Sequence, residues 1–318
     1  MIFLTGASGV LGSEIERALP ADQLILGRHR VKPHSPAEEI AIDITHPRLA
    51  LASADYEGLA ARVSCIIHSA ALTEMGGDHP DLTPTNVDGV RHMVAFARAA
   101  GAALHFVSTA YASAEYRADQ AVESAYVRSK RAAETIVRES GLDWTILRPS
   151  IVAGHSETGE IAGFQGLHLF IAAILKGRMS MVPLAPSAWC DFVASDTLAK
   201  AVVRIVARPD FGRSYFLTAG PSALTIEDMM QCGRPFADLL GRDLDTIQLI
   251  DPDTVRRDLL PALAAKNRPR ALERLTLMLE LSSVMATAKP FPSDLGTVLQ
   301  DDPIDRAHLN HTLRANIR

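Results

Sequence analysis

The segment Thr5-Gly6-Ala7-Ser8-Gly9-Val10-Leu11-Gly12 decides the fold, because it joins an apolar run over residues 1–5 to a helical pattern over residues 10–19. Gly6 permits a tight turn, Gly9 lets the backbone approach a pyrophosphate, and Gly12 lets the helix pack closely against a sheet. The N-terminus of such a helix presents free N–H groups and partial positive charge to phosphates. We therefore expect nucleotide contacts from the turn, made by Gly6, Ser8, Gly9, Val10, Leu11 and Gly12.

The chain downstream of this turn alternates apolar runs with helical patterns. The predicted strands cover residues 23–27, 38–44, 63–70, 103–108 and 143–149, and the predicted helices cover residues 81–101 and 124–140. This alternation is typical of βαβ units and predicts an α/β fold, a doubly wound parallel sheet of the Rossmann type. We expect His68, near the end of the strand at 63–70, to be a packed residue rather than a catalyst.

The pattern loosens after Pro149. Residues 153–168 are rich in glycine and polar residues and are predicted to form a loop, whereas a helix at 194–207 and a strand at 213–218 return to the sheet. Further helices are predicted at 225–240, 253–266 and 270–286. We expect a Rossmann domain over residues 1–152, completed by about 190–220, and a smaller, mostly helical C-terminal cap from 153–189 and 221–318.

Composition excludes several classes of protein. The chain has 318 residues, 47% of them hydrophobic, and a formal net charge of −5. These values exclude a disordered chain and argue against a general attraction to nucleic acid or to anionic membranes. The three cysteines lack metal-ligand spacing, so no metal site is expected, and no apolar stretch reaches the length of a membrane span. No signal peptide fits the N-terminus, and we expect a cytoplasmic protein.

Tyr126 and Lys130 form a YxxxK pair on a predicted helix, where a spacing of four residues places both side chains on one face. A nearby ammonium favours the phenolate and would lower the pKa of Tyr126. A phenol tuned in this way can give a proton to a carbonyl oxygen or take it back. The alternative is that Tyr126 and Lys130 lie on a solvated helix face and have no catalytic role.

The residues after the second strand bear on the choice of dinucleotide. NAD-binding Rossmann domains usually carry a carboxylate there, which binds the ribose hydroxyl. This chain instead has Arg28-His29-Arg30-Val31-Lys32. Because a guanidinium suits a phosphate, we favour NADP(H) over NAD(H), with Arg28 as the main contact and Arg30 or Lys32 as further ones. The alternative is a solvated basic loop.

The segment TGASGVLG at 5–12, together with the YxxxK pair, closely resembles the extended short-chain dehydrogenase/reductase superfamily. Segments 148–152, 154–160, 191–196 and 224–227 are similar to those of its thioester-reductase and fatty-acyl reductase ("male sterility") NAD-binding group, although His155 stands where that group often has Asp. The resemblance covers residues 1 to about 230. It implies a dinucleotide cofactor and, commonly, a homodimer formed through a helix pair.

The resemblance also implies roles for single residues. Thr109, or alternatively Ser108, would polarise the substrate carbonyl, and Asn86 would support a water-mediated proton relay to Lys130. Tyr111 and Tyr116 lack a lysine partner and could at most line the substrate site. The remaining implied cofactor contacts are Asp43 and Ile44 at the adenine, Ser69, Ala70 and Ala71 beside the cofactor backbone, and Pro149, Ser150 and Ile151 at the nicotinamide end.

These residues predict an NADP(H)-dependent oxidoreductase that transfers hydride to a carbonyl of an acyl thioester, aldehyde or ketone. A sugar-nucleotide epimerase or dehydratase that uses NAD is one alternative, and a non-catalytic NADP-sensing regulator is another. Apolar residues of the cap would line an acyl channel or would be core. They are Phe164, Leu167, Leu169, Phe170, Met179, Met181, Trp189 and the helix at 272–285. A nucleotide-sugar substrate stays an alternative because the cap also carries Arg178, Arg268 and Arg270.

Overall fold

A computed structural model gives the architecture of the chain. It describes residues 1–32, 35–73, 81–113, 115, 124–163, 174, 180–283, 285–300 and 304–317. Tyr116, Phe164, Leu167, Leu169, Phe170, Arg178 and Met179, all named in the sequence predictions, lie outside these residues.

The central sheet has seven parallel strands, which confirms the predicted α/β fold. The strands are β1 Ile2–Thr5, β2 Leu24–Arg28, β3 Glu38–Ala41, β4 Cys65–His68, β5 Ala103–Val107, β6 Trp144–Pro149 and β11 Arg213–Leu217. Their order across the sheet is β11-β6-β5-β4-β1-β2-β3. The strand order reverses between β1 and β4, whose last residues Thr5 and His68 lie side by side. Ligands of such sheets bind in the crevice at this switch point.

Both faces of the sheet are buried, as the apolar strand sequences require. Successive strand residues point to opposite faces. Thus Phe3, Ile66 and Ile146 join one apolar cluster, whereas their neighbours in sequence join the other. Helices α2 Ser53–Ala60, α3 Gly89–Ala100 and α4 Ala125–Arg138 lie on the first face, and α1 Val10–Ala18 and α5 Ser195–Ala207 lie on the second.

Local sequence explains where the helices near the site begin and end. Ser124 accepts a hydrogen bond from the Val127 N–H and begins α4. Gly101, with a φ of 61°, ends α3 in the left-handed conformation that glycine adopts without strain. The start of the predicted helix at 81–101 is a π-helix over Thr83–Asp88, and α2 has no counterpart among the predicted helices.

The chain after Pro149 contains short strand pairs that the sequence did not predict. They are β7 Ile151–Ala153 with β10 Phe192–Ala194, β9 Trp189–Cys190 with β12 Leu224–Thr225, and β8 Met181–Val182 with β13 Gln248–Leu249. The helices that follow are α6 Ile226–Leu239, α7 Pro252–Thr254, α8 Leu260–Ala265, α9 Pro269–Ser283, α10 Leu295–Leu299 and α11 Arg306–Ile317, the last two also unpredicted. Within the described residues, no helix has the length and apolar character of a membrane span.

Candidate active site

The phosphate-binding turn has the geometry expected from its three glycines. Gly6 has a φ of 79°, and a Cβ there would lie 2.5 Å from the backbone nitrogen of Ala70. A Cβ on Gly12 would overlap the carbonyl oxygen of Gly6. Gly9 is the N-cap of α1 and offers no side-chain cap, so the first N–H groups of the helix stay available to a ligand. The turn is thus a backbone cradle that fits a dinucleotide pyrophosphate.

A cavity of about 190 Å³ lies beside this turn at the carboxyl ends of β1, β4, β5 and β6. It brings together most of the predicted site residues, namely Gly9, Val10, Leu11, Gly12, Ser69, Ala71, Ser108, Thr109, Tyr126, Lys130, Pro149, Ser150 and Ile151. Predicted residues that are not among its lining residues are Gly6, Ser8, Arg28, Asp43, Ile44, Ala70 and Asn86. Thr73, Val107, Tyr111, Val127, Val152 and Met285 complete the lining, and of these the sequence pointed to Tyr111 and, at the end of the predicted apolar helix at 272–285, to Met285.

Helix α4 carries Tyr126 and Lys130 into this cavity, one turn apart. Lys130 is 2% exposed, and its Nζ donates to the carbonyl oxygen of Val107 at 2.6 Å and lies 4.5 Å from the ring centre of Phe106. Burial lowers the pKa of Lys130 to about 7, against the opposing charge of Glu134. Burial also raises the pKa of Tyr126 to about 12, so the expected lowering by Lys130 is not seen in this structure. Desolvation of the phenol, which disfavours its charged form, causes this shift.

A buried ionic network fixes Ser108. Its Oγ donates to Glu134 at 2.7 Å, and the two oxygens of Glu134 also accept from Arg148 at 2.9 and 2.6 Å. Burial acts to raise the pKa of Glu134, but the hydrogen bonds and charge of Arg148, with Ser108 and Arg138, hold that pKa below its usual value. Glu134 is not among the site residues predicted from the sequence, although its position four residues after Lys130 on the same helix face was a signal.

The hydroxyl of Thr109 is less committed than that of Ser108. Its Oγ1 lies 3.5 Å from the carbonyl oxygen of Pro149, the long limit of a hydrogen bond, and the residue lines the cavity. Of the two hydroxyls that the sequence left as alternatives, Thr109 is therefore the one available to a substrate oxygen.

Asn86 lies in the π-helix and forms hydrogen bonds with both backbone groups of Leu72. Its Oδ1 accepts from the Leu72 N–H at 2.8 Å, and its Nδ2 donates to the Leu72 carbonyl and to Ser129 Oγ, both at 2.9 Å. These bonds use both amide hydrogens and one oxygen lone pair. In this structure Asn86 therefore holds the backbone of Leu72 in place, and its part in a proton relay to Lys130 stays a prediction.

Arg28, the predicted main contact for a phosphate, is 5% exposed and paired with two carboxylates. Its Nη2 lies 2.6 Å from Glu16 Oε2 and its Nε lies 2.8 Å from Glu39 Oε1. Its positive charge is therefore already balanced, whereas Arg30 and Lys32 are exposed. Asp43 accepts from the backbone and hydroxyl of Thr45 at 2.9 and 2.6 Å.

His68 at the end of β4 is fully buried, and its Nδ1 lies 2.7 Å from Thr5 Oγ1. Burial, with a further contribution from Lys130, lowers the pKa of His68 to about 3. The ring is therefore neutral and packs at the switch point, as the sequence predicted for a strand-end histidine.

Comparisons with known proteins identify the family of the chain. The family model described as male sterility protein matches residues 28–202. The chain is 30% identical over 260 residues to a ceramide reductase of Caulobacter vibrioides, which covers 79% of this chain and 74% of that protein. It is also 27% identical over 222 residues to one of the linear gramicidin synthase proteins of Brevibacillus parabrevis, covering 64% of this chain but 4% of that much longer protein.

Two solved structures share the fold. The terminal R domain of the myxalamid PKS-NRPS pathway matches with a TM-score of 0.71 and 23% identity, over 99% of this chain and 89% of that one. A UDP-glucuronic acid 4-epimerase of Bacillus cereus, in complex with NAD, matches with a TM-score of 0.65 and 16% identity, over 99% and 97% of the two chains. The family model decides the assignment: the chain belongs to the male sterility group of NAD(P)-binding extended short-chain dehydrogenase/reductases.

Proposed function

We propose that the protein reduces the carbonyl group of an apolar substrate with hydride from NADPH. One observation carries this proposal: the phosphate-binding turn and the side chains of Thr109, Tyr126 and Lys130 line the same cavity. A dinucleotide held by the turn and a carbonyl held by these side chains would therefore be neighbours.

The residues of the chain would transfer the proton and orient the substrate and the cofactor. The bound cofactor supplies the hydride. Burial raises the pKa of Tyr126 to about 12, so the phenol is protonated at neutral pH and has a proton to give to the carbonyl oxygen. Lys130 would orient the cofactor ribose, and Thr109 would donate a hydrogen bond that polarises the carbonyl.

The preference for NADP(H) rests on charge at the end of β2. No carboxylate directly follows this strand, and the exposed cations are Arg30 and Lys32. Because Glu16 and Glu39 already balance Arg28, we assign the 2′-phosphate mainly to Arg30 and Lys32, with Arg28 holding the shape of the site. This reverses the order of importance expected from the sequence.

The substrate class rests on the lining of the cavity and on the relatives. Val107, Val127, Val152 and Met285 give the cavity an apolar wall. One relative, of which the chain covers 74%, is a ceramide reductase, which by its name acts on a lipid. Met285 comes from the C-terminal region, which supports the proposal that residues 153–189 and 221–318 form the substrate-binding part.

The test is calorimetric binding of NADPH and NADH, followed by NADPH oxidation with an acyl-CoA, a long-chain aldehyde and a long-chain ketone. We expect tighter binding of NADPH, and Arg30→Ser with Lys32→Ser should remove that preference. Asp22→Ser, which changes an exposed charge before β2, is the control. Tightly held NAD with no net NADPH consumption on any carbonyl would instead favour an epimerase.

A further inference from the structure

Tyr111 has a buried hydroxyl that none of the described residues satisfies. The residue is 5% exposed, and its Oη has no hydrogen-bond partner among the residues that the structure describes. A buried hydroxyl without a partner is unfavourable, so such a group in a cavity wall calls for an external partner. Tyr111 lines the same cavity as Tyr126 and Thr109.

The ring of Tyr111 is held in place from two sides. It belongs to the turn Ala110–Ala112, in which the Ala112 N–H donates to the carbonyl oxygen of Thr109 at 3.1 Å. Phe291 packs edge-on against it, with ring centres 5.2 Å apart, and the neighbouring Pro292 carbonyl accepts from the hydroxyl of Thr218 at 2.5 Å. The phenol therefore has a fixed direction in the free protein.

Tyr111 and Tyr126 also belong to one packed cluster. Tyr111, Val127 and Phe291 form its buried part, and Tyr126 packs against them. Burial, with nearby Cys190 and Asp191, raises the pKa of Tyr111 well above its usual value, so the group remains a neutral O–H. It can therefore donate or accept a hydrogen bond but does not act as a base.

The number of donors decides what Tyr111 binds. A carbonyl oxygen has two lone pairs, and the proposed reaction already fills them with Tyr126 and Thr109. A third hydroxyl in the same cavity needs a second polar group. Resting on the proposed reductase function, we propose that Tyr111 hydrogen-bonds a second oxygen close to the reacting carbonyl and selects such substrates over plain ketones.

Two probes of equal chain length test this assignment: a long-chain β-oxo ester, which has the second oxygen, and a plain long-chain ketone. Tyr111→Phe should lower kcat/KM for the ester about 10- to 100-fold and change that for the ketone less than about threefold. NADPH affinity should stay the same, and the thermal midpoint should stay the same or rise, because the variant removes an unsatisfied buried hydroxyl. Tyr56→Phe removes a hydroxyl from a tyrosine packed on Phe96, outside the cavity, and is the matched control.

The outcomes separate this assignment from the proposed function when probe binding is measured by calorimetry beside turnover. Equal losses with both probes, or no loss with either, overturn the role of Tyr111 and leave the reductase standing. Tyr111-dependent binding of the ester without any NADPH consumption overturns the reductase and supports the role of Tyr111 in recognition. A wild-type protein that reduces the ketone but neither binds nor reduces the ester overturns only the role of Tyr111, whereas one that neither binds nor reduces either probe overturns both.

Discussion

The Ser108 hydroxyl donates a hydrogen bond of 2.7 Å to Glu134, and both side chains are buried. Glu134 lies four residues beyond Lys130 on α4 and is itself held by Arg148. This contact ties the end of β5 to the helix that carries Tyr126 and Lys130. It also uses the hydroxyl hydrogen of Ser108, so in the proposed reaction Thr109 is the hydroxyl available to the substrate.

The two neighbouring hydroxyls should therefore respond differently to removal. Thr109→Val should lower kcat about 10- to 100-fold with a small change in stability, because a hydrogen bond that polarises the substrate is lost. Ser108→Ala should reduce the free energy of unfolding by about 1–3 kcal/mol, because the buried Glu134 loses a partner, and should leave kcat within about threefold. Steady-state kinetics and urea unfolding of both variants check this pair, and the reverse pattern would assign the catalytic hydroxyl to Ser108.

Removal of the Tyr126 hydroxyl should stop proton transfer without loosening the cofactor. Tyr126→Phe should lower kcat by about 10²- to 10⁴-fold, the usual contribution of a positioned general acid. The dissociation constant for NADPH, measured by calorimetry, should stay within about threefold because the turn at Gly6–Gly12 is untouched. Normal turnover by this variant would contradict the mechanism.

A methyl group at Gly12 should destroy the nucleotide site. Its Cβ would overlap the Gly6 carbonyl oxygen, so Gly12→Ala must displace the turn or the start of α1. We expect loss of detectable NADPH binding and a lower thermal midpoint. Gly58→Ala is the matched control. Gly58 lies in α2, and a Cβ there would have no atom within 4 Å, so the substitution should stabilise the helix by about 0.5–1 kcal/mol. Unchanged NADPH affinity in Gly12→Ala would argue against the turn as the phosphate site.

The buried ammonium of Lys130 should make stability depend on pH. Its pKa is about 7 in the folded protein, against an ordinary value of 10.5. Between these values the unfolded chain binds more protons, so the free energy of unfolding should rise with pH across this window. Lys130→Met should lose this rise, by more than about 1 kcal/mol, in urea unfolding from about pH 6.5 to about pH 9.5.

The control for this pH dependence is Lys200→Met, which removes an exposed lysine from α5 and should keep the slope of the wild-type protein. A slope that is the same in all three proteins would show that Lys130 titrates near its ordinary value. Lys130→Arg should be harmful as well, because the larger guanidinium does not fit the space between the Val107 carbonyl and the Phe106 ring.

The sequence by itself determined the sheet and most of the cavity lining. The glycine turn, the apolar runs and the YxxxK spacing are local patterns, and the carboxyl ends of parallel strands necessarily meet at one edge. Gly9 and Tyr126 could therefore be placed together from these patterns, and the family resemblance added Thr109 and Pro149. The preference for NADP(H) and the identity of the substrate were not determined in this way and remain proposals.

Only the tertiary structure decided which polar groups are already occupied. Glu16 and Glu39 neutralise Arg28, Glu134 holds Ser108, and Asn86 binds the backbone of Leu72. These partners lie 11 to 26 residues apart along the chain, a separation at which sequence spacing carries no geometric information. Burial depends on the same long-range packing, which is why the pKa of Tyr126 moved opposite to the expected direction. It is also why the free hydroxyl of Tyr111 became visible only once the chain was folded.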